Sequence, residues 1–198
     1  LFATPFGGAG DDAGYALSLD GAGGVTIGGY TNSPDFPVTP GAVQTKIGGG
    51  YDAFIARAAV IGKPGLAYST FLGGSGDDSV YGLATDANGR VLAVGATSST
   101  DYPVTPGAFQ TALSGPSDGF VTRLDPTGAK LLYSTYLGGS HDDIAWNAVF
   151  DATGAVVIAG TTLSPDYPTT AGAFQTKCGT DGLCNGTNDN FVTKLQLP

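Results

Sequence analysis

The sequence predicts an all-β fold built from three similar antiparallel sheets. The chain has 198 residues, of which 41% are hydrophobic, and this content is enough for a packed core. Its 33 glycines and 12 prolines fall between short apolar runs, where they are typical of turns. No segment shows the 3.6-residue apolar periodicity of an amphipathic helix. The short β-branched and aromatic runs between the turns therefore favour strands throughout the chain.

A repeated unit organises the chain. Pairs of adjacent aspartates mark it, and their first members, Asp11, Asp77 and Asp142, are 66 and then 65 residues apart. A proline-rich segment recurs in the same register, as SPDFPVTPGAVQT (33–45), STDYPVTPGAFQT (99–111) and SPDYPTTAGAFQT (164–176). Repetition of this length indicates a modular architecture. The repeat units are 1–65, 66–130 and 131–198, and the third carries an insertion that holds both cysteines.

Each repeat is expected to form four short strands. In the second repeat the four runs are YSTFLGG (68–74), YGLAT (81–85), RVLAVGAT (90–97) and FVTRL (120–124). The DANG turn at 86–89 joins the two middle runs into a hairpin, because Asp, Asn and Gly supply turn conformations. The DPTG turn at 125–128 forms another hairpin with the next repeat. The proline-rich segment predicts an ordered loop rather than a central strand.

Three four-stranded repeats favour a radial arrangement of small sheets, a β-propeller. The chain begins with one hairpin partner and ends with the other, and Pro5 in the first copy disfavours ladder pairing there. Three blades are too few to close a propeller of the usual roughly four to eight blades. We therefore expect completion from outside, by a longer array, by a six-bladed ring of two copies, or by strand exchange with a neighbouring chain that generates a filament.

The combined motifs resemble a known repeat family. YST[FY]LGGSxDD is followed by D-[AN]-x-G, by T-x-S-x-D-[FY]-P-x-T-x-G-A-F-Q-T, and finally by D-x-F-V-x-[KR]-L. This combination is similar to the bacterial SBBP (seven-bladed β-propeller) repeat, and it covers nearly the whole chain. The resemblance implies propeller blades in a secreted or surface protein, and it implies no particular activity.

Composition excludes several classes of partner. A net charge of −9, with only eight Lys and Arg residues, opposes binding to nucleic acid, because phosphate contacts need those cations. No apolar run reaches the roughly 18 residues of a membrane span. Charged residues make up only 13% of the chain, and Thr, Ser, Asn and Gly supply the surface polarity, as is common in extracellular proteins.

The two cysteines, Cys178 and Cys184, lie six residues apart in KCGTDGLCNGT. Their spacing in a glycine-rich loop favours a small disulfide, which would imply an oxidising compartment. A metal site would need a third and a fourth soft ligand, and none is near in the sequence. The triplet that begins at Asn185 also fits a glycosylation sequon.

The paired aspartates are the candidate metal site. GGSGDDSV (73–80) matches one unit of the calcium-binding nonapeptide, in which carboxylates and carbonyls surround a hard cation. The candidate calcium ligands are Asp11, Asp12, Asp77, Asp78, Asp142 and Asp143. In the other interpretation the first aspartate caps a turn, and the glycines supply positive φ where the chain leaves one blade for the next. Both interpretations can hold together.

A further aspartate precedes an aromatic residue and a proline in every copy. These residues are Asp35, Asp101 and Asp166. We expect each carboxylate to bond loop amides in an Asx-type turn, with metal binding as the alternative.

Two single residues complete the candidates. His141 is the only histidine and is expected to be incidental, because a catalytic role would need a neighbouring nucleophile or ligand set. Trp146 occupies the position of Tyr15 and Tyr81 and is expected to pack in the core, although an exposed aromatic can stack on a sugar. The sequence shows no catalytic motif and no cofactor motif, so we do not expect an enzyme.

The sequence therefore predicts a structural or adhesive extracellular protein that associates with itself through its terminal strands, with calcium as a possible stabiliser. The alternative function is a propeller module that binds a carbohydrate or a surface protein through loops such as 100–110 and 177–190.

Overall fold

The computed structural model describes residues 3–21, 23–59, 65–179, 184 and 187–197. Within these residues the fold is all-β and contains no helix, which confirms the all-β part of the prediction. The strands are β1 (Asp12–Leu19), β2 (Gly24–Thr31), β3 (Asp52–Ala59), β4 (Gly65–Leu72), β5 (Asp78–Thr85), β6 (Val91–Thr97), β7 (Asp118–Leu124), β8 (Leu131–Leu137), β9 (Asp143–Phe150), β10 (Val156–Thr162) and β11 (Asp189–Leu195).

The strands form three antiparallel sheets, each with its strands in chain order. The first sheet contains β1 to β4, the second contains β5 to β8, and the third contains β9 to β11. Each of the first two sheets takes its last strand, β4 or β8, from the start of the following sequence repeat. The third sheet has three described strands where the repeat pattern predicts four, and β11 lies at its edge.

Aspartates at the turns fix the hairpins that the sequence predicts. Between β5 and β6, the Asp86 carboxylate accepts hydrogen bonds from the backbone N–H groups of Asn88 (2.9 Å) and Arg90 (3.0 Å). Gly89 has a φ of 76°, a conformation in which a side chain would be strained. The turn residues therefore set the hairpin, as the DANG pattern indicates.

The second sheet is covered on both faces. Its strand β7 shows why, since alternate residues point to opposite faces of a strand. Phe120 packs in a cluster with Ile55 and Leu72 of the first sheet, whereas the next residue, Val121, packs in a cluster with Ile158 of the third sheet. Every residue of β7 is buried. The core thus consists of two apolar layers, one on each side of the second sheet.

Residues 3–8 form no strand, in line with the expectation that Pro5 disfavours ladder pairing there. Phe6 nevertheless has a fixed place, because its ring packs edge-on against Phe36 with ring centroids 5.0 Å apart. It also contacts Phe54 of β3, at a centroid distance of 6.3 Å. The segment is therefore anchored to the first sheet through an aromatic cluster.

Candidate functional site

The connections into β1, β5 and β9 are built around the second aspartate of each pair. At the start of β5, one oxygen of the Asp78 carboxylate accepts hydrogen bonds from the Gly74 N–H (2.9 Å) and the Ser99 hydroxyl (2.8 Å). The equivalent bonds occur at the other two connections, from Gly8 to Asp12 (2.7 Å) and from Gly139 to Asp143 (2.6 Å). Each second aspartate therefore ties the incoming loop to its own sheet.

The first aspartates have a different environment, because their side chains are exposed. Asp77 uses its backbone carbonyl to accept the Ser98 N–H at 2.9 Å, and its carboxylate accepts the Tyr51 N–H at 3.2 Å. The first aspartate thus bonds a backbone N–H, as the sequence predicts, but this amide belongs to the loop before β3. The second aspartate is the one that bonds the N–H of the glycine pair at its own connection.

The paired glycines are required because a side chain would not fit at their positions, and not because of their backbone φ angles. The expectation of positive φ at these glycines is wrong, because the glycines with positive φ lie elsewhere in the chain. A Cβ added to Gly73 would lie 2.5 Å from Asp78 Oδ2 and 2.9 Å from Asp52 Cγ. Gly138 lies in the same way between Asp118 and Asp143. Glycine is therefore needed so that two carboxylates from adjacent sheets can approach the same stretch of backbone.

These joints hold buried carboxylates, which raises their pKa values. Burial raises the pKa of Asp78 to about 6, and bonds from the Thr97 hydroxyl, Gly74 and Ser99 oppose that rise. Burial also raises the pKa of Asp52, against the bonds that its carboxylate accepts from Gly48, Gly49 and Gln44. A joint between two sheets thus contains two acidic groups for which the charged form is costly.

The aspartates of the proline-rich loops bond the same connections from the other side. Asp101 accepts the Ser75 N–H at 2.7 Å and the Ser75 hydroxyl at 2.8 Å, and these bonds lower the pKa of its carboxyl group. Asp166 binds Ser140 in the same way, and Asp35 accepts the Ala9 N–H at 2.9 Å. The prediction of bonds to loop amides is correct, but the bonds join two loops rather than closing a local Asx turn.

The described residues gather no group of three or more His, Cys, Asp or Glu side chains that could hold a metal ion. The carboxylates of Asp12, Asp78 and Asp143 already accept hydrogen bonds from amides and hydroxyls. Calcium binding at the six candidate aspartates stays a prediction, for which the exposed carboxylates of Asp11, Asp77 and Asp142 are the accessible part.

The aromatic residues of the first strands lie in a row whose two end members, Tyr15 and Trp146, are exposed. Tyr15, Tyr81 and Trp146 are each the extra residue of a β-bulge, in β1, β5 and β9 respectively. Their ring centroids are 5.6 Å apart for Tyr15 and Tyr81, and 4.9 Å apart for Tyr81 and Trp146. Trp146 is 45% exposed, so its predicted core position is wrong. A bulge redirects a side chain, which explains how a strand residue in the middle of the stack reaches solvent.

His141 lies in the exposed loop before β9. Its backbone N–H donates to the Ser164 hydroxyl at 2.9 Å, as the Gly76 N–H does to Ser99 at 2.8 Å. Its ring nitrogen Nδ1 lies 3.0 Å from the Ser140 hydroxyl. The backbone of His141 therefore does what glycine does in the other copy, and the incidental role of its side chain stays a prediction.

The predicted disulfide is confirmed, since Cys178 and Cys184 are bonded. Both cysteines are buried. The other predicted feature of this insertion, glycosylation at Asn185, lies outside the described residues.

The outer edge of the third sheet differs from that of the second. In the second sheet, β8 lies between β7 and the proline-rich loop, with the Tyr136 N–H donating to the Gln110 carbonyl at 3.2 Å. In the third sheet β11 pairs with β10 alone within the described chain. The corresponding loop residue, Gln175, donates to the carbonyls of Lys177 (2.7 Å) and Gly179 (2.8 Å) in its own segment. Among the described residues, no strand bonds the outer edge of β11, which the sequence predicts as an unpaired terminal strand. This edge, together with the loop that carries Gln175, is called the slot below.

The two end faces of the stack are apolar and exposed. On the first sheet, Leu17 and Leu19 are 63% and 64% exposed. On the third sheet, Val149 and Val192 are 57% and 75% exposed. No described segment is a helix that could cross a bilayer.

Comparison with models of known protein families gives no match to this chain. Comparison with curated protein sequences gives no match either. The site is therefore interpreted from its own geometry.

Proposed function

We propose that the protein is a structural or adhesive extracellular β-propeller-repeat protein that assembles head to tail into a filament, stalk or surface layer. One observation carries the proposal: the two end faces of the stack expose the positions that are buried wherever two sheets meet within the chain. The proposal treats each sheet as one propeller blade.

Internal equivalence makes this observation quantitative. Leu17 of β1 is 63% exposed, whereas Leu83, at the same place in β5, is 8% exposed because the first sheet covers it. At the other end, Val192 of β11 is 75% exposed, whereas Val121 of β7 is fully buried against the third sheet. Burying one such side chain stabilises a contact by about 1.5–3 kcal/mol.

The two end faces are complementary rather than alike. Within the chain, the face that carries Leu83 packs on the preceding sheet, and the face that carries Val121 packs on the following one. The Val192 face of one copy therefore matches the Leu17 face of the next. Such a contact is heterologous, and it closes into a ring or continues as a filament. Two copies would supply six sheets, which falls within the roughly four to eight blades of closed propellers.

Placement outside the cell is supported by the Cys178–Cys184 disulfide, because disulfides persist in oxidising compartments. The low content of charged side chains points the same way. The resemblance to the SBBP repeat also implies a secreted or surface protein.

The test is the size of the protein in solution, measured by light scattering over a range of concentrations and followed by electron microscopy. We expect dimers or longer assemblies that are lost in Leu17→Asp. The matched control is Leu132→Asp, because Leu132 is 40% exposed but belongs to the second sheet, which forms neither end face. A monomer at every concentration would contradict the proposal.

The same measurement tests calcium. If a chelator abolishes assembly of the wild-type protein and calcium restores it, and if the assembly state of Asp77→Asn no longer responds to calcium, then calcium stabilises the assembly. If the chelator changes neither the assembly nor the unfolding temperature, calcium does not belong to it.

The exposed aromatic row favours a second candidate, a module that binds carbohydrate. Aromatic faces pack on the apolar faces of sugars, and Tyr15 and Trp146 are 56% and 45% exposed. A stable monomer that binds glycans, and loses that binding in Trp146→Ala, would favour this candidate over assembly.

A further inference from the structure

We infer that residues 3–8 of one copy insert beside β11 of another copy as the fourth strand of its third sheet. This inference rests on the head-to-tail assembly proposed above, and it adds the segment, the slot and the register.

The slot is defined by what surrounds the fourth strand in the complete sheets. In the first sheet, Ser69 and Phe71 of β4 turn their backbone groups toward the proline-rich loop. The Ser69 carbonyl accepts the Thr39 N–H at 3.0 Å, and the Phe71 N–H donates to the Gln44 carbonyl at 3.1 Å. The intervening residue, Thr70, faces β3, where it pairs with Ile55. A fourth strand therefore bonds a sheet on one side and a loop on the other.

A glutamine of the proline-rich loop bonds the residue that follows the fourth strand. Gln44 Oε1 accepts the Gly73 N–H at 3.0 Å, and Gln110 Oε1 accepts the Gly138 N–H at the same distance. The third loop has the same residue, Gln175, at the equivalent position of the repeat. By analogy, we expect the Gln175 side chain to accept a hydrogen bond from the N–H of the first glycine of an incoming GG pair.

Relative to the first sheet, residues 3–8 have the same position as the end of β4 has relative to the second sheet. Its Gly8 N–H donates to Asp12 as the Gly74 N–H donates to Asp78. Phe6 also packs against Phe36 and Phe54 of the first sheet. Leu72, the residue equivalent to Phe6, packs in the same cluster as Phe120 of the second sheet and Tyr102 of the loop between β6 and β7. The connection into β1 is thus formed in the same way as the connection into β5.

The register also accounts for Pro5. By the spacing of the GG pairs, Pro5 corresponds to Phe71, whose N–H donates to the loop and not to β3. Proline at this position gives up one bond to the loop and none to the sheet. Thr4 and Phe6, the residues on either side, keep the N–H groups that face β11. The N–H that Pro5 lacks would therefore point toward the loop, and the hydrogen bonds between the segment and β11 do not require it.

In this register Thr4 lies opposite Val192, as Thr70 lies opposite Ile55. Opposed residues of an antiparallel pair have Cα atoms about 4.5–5.5 Å apart, within the usual disulfide range of about 4.4–6.8 Å. A cysteine at each position can therefore report the contact. Val149 provides the control, because it is exposed on the same sheet but lies two strands away from β11, about 10 Å.

The experiment mixes full-length Thr4→Cys and Val192→Cys proteins under mild oxidation and separates them on a non-reducing gel. We expect a cross-linked heterodimer in this mixture and its loss when Val149→Cys replaces Val192→Cys. Circular dichroism of each variant checks that it folds. A double variant, T4C/V192C, then gives a covalent dimer if two copies close a ring, or a ladder of larger species if they form a filament.

Three results overturn the inference. If assembly persists but no specific heterodimer forms, the faces associate without strand exchange and the proposed function survives. If the double variant gives only a monomer with an internal cross-link, the segment fills its own third sheet. If no assembly is found at any concentration, both the inference and the proposed function fail.

Discussion

Strands β7 and β11 have nearly the same sequence and very different surroundings. The first is DGFVTRL and the second is DNFVTKL. Every residue of β7 is buried, whereas in β11 Phe191 alone is buried. Burial in this fold is therefore set by which neighbours are present, and the sequence of β11 is that of a strand suited to a covered position.

The neighbours can be counted from the topology. β7 has a strand on each edge and a sheet on each face, whereas β11 has β10 on one edge and the second sheet on one face. The substitution of Lys194 for Arg123 follows the same division. Arg123 has a side chain 7% exposed, pairs with Asp86 at 2.9 Å and lies over the Phe150 ring, whereas Lys194 is 57% exposed. A buried guanidinium suits the covered strand, because its planar donors can satisfy several partners at once.

The largest effect is expected when the same substitution is made in the two strands. Val121→Asp places a charge in a fully buried layer, so we expect a loss of stability above about 4 kcal/mol and a chain that does not fold. Val192→Asp changes a residue that is 75% exposed, so the fold should survive while assembly is lost. Circular dichroism melting and light scattering measure the two outcomes. Equal destabilisation by both variants would contradict the view that β11 is uncovered in a single copy.

The repeated features of the fold could be predicted from the sequence, because each depends on local chemistry. The DANG turn, the strand runs and the Cys178–Cys184 bond follow from turn propensity and short spacing. The site was harder to predict. Which aspartate of a pair faces the loop, and where Asp101 finds its partner 26 residues away, depend on how two loops meet. The exposure of Trp146 depends on a bulge, which the apolar pattern of β9 does not indicate.

The second effect concerns the joints between sheets, which β7 has and β11 lacks in a single copy. Burial raises the pKa of Asp78 from its ordinary value of 3.8 to about 6, so the folded state binds the proton more tightly than the unfolded chain. Protonated Asp78 therefore favours the folded state. This contribution to the free energy of unfolding is fully present below about pH 4 and is lost as the pH rises through about 6. We expect the free energy of unfolding to increase by roughly 2 kcal/mol between pH 7 and pH 4.5.

Urea unfolding across this range measures that change. Asp78→Asn should flatten the dependence, whereas Asp77→Asn, which changes the exposed neighbour, should leave it in place. Below pH 4 the trend reverses, because hydrogen bonds lower the pKa values of Asp101 and Asp166 and their stabilisation is lost on protonation. Stability that falls steadily from pH 7 to pH 4.5 would show that the buried carboxylates do not dominate.

The smallest effect separates the two loop glutamines beside these strands. Gln110 accepts the Gly138 N–H at 3.0 Å and donates to the Asp118 carboxylate at 2.6 Å, so Gln110→Ala leaves buried groups without partners and should cost about 1–3 kcal/mol. Among the described residues, Gln175 bonds two nearby carbonyls, so Gln175→Ala should cost less than about 1 kcal/mol in the monomer.

In the assembled protein, the cost of Gln175→Ala should become more similar to that of Gln110→Ala. If a strand enters the slot beside β11, Gln175 gains the Gly7 N–H of the incoming segment, and Gln175→Ala then weakens the contact between copies. The measurement is the dissociation constant of the assembly for wild type and for both variants, alongside urea unfolding of the monomer. A Gln175→Ala protein that assembles as tightly as wild type would show that the third loop does not hold a fourth strand as the second loop holds β8.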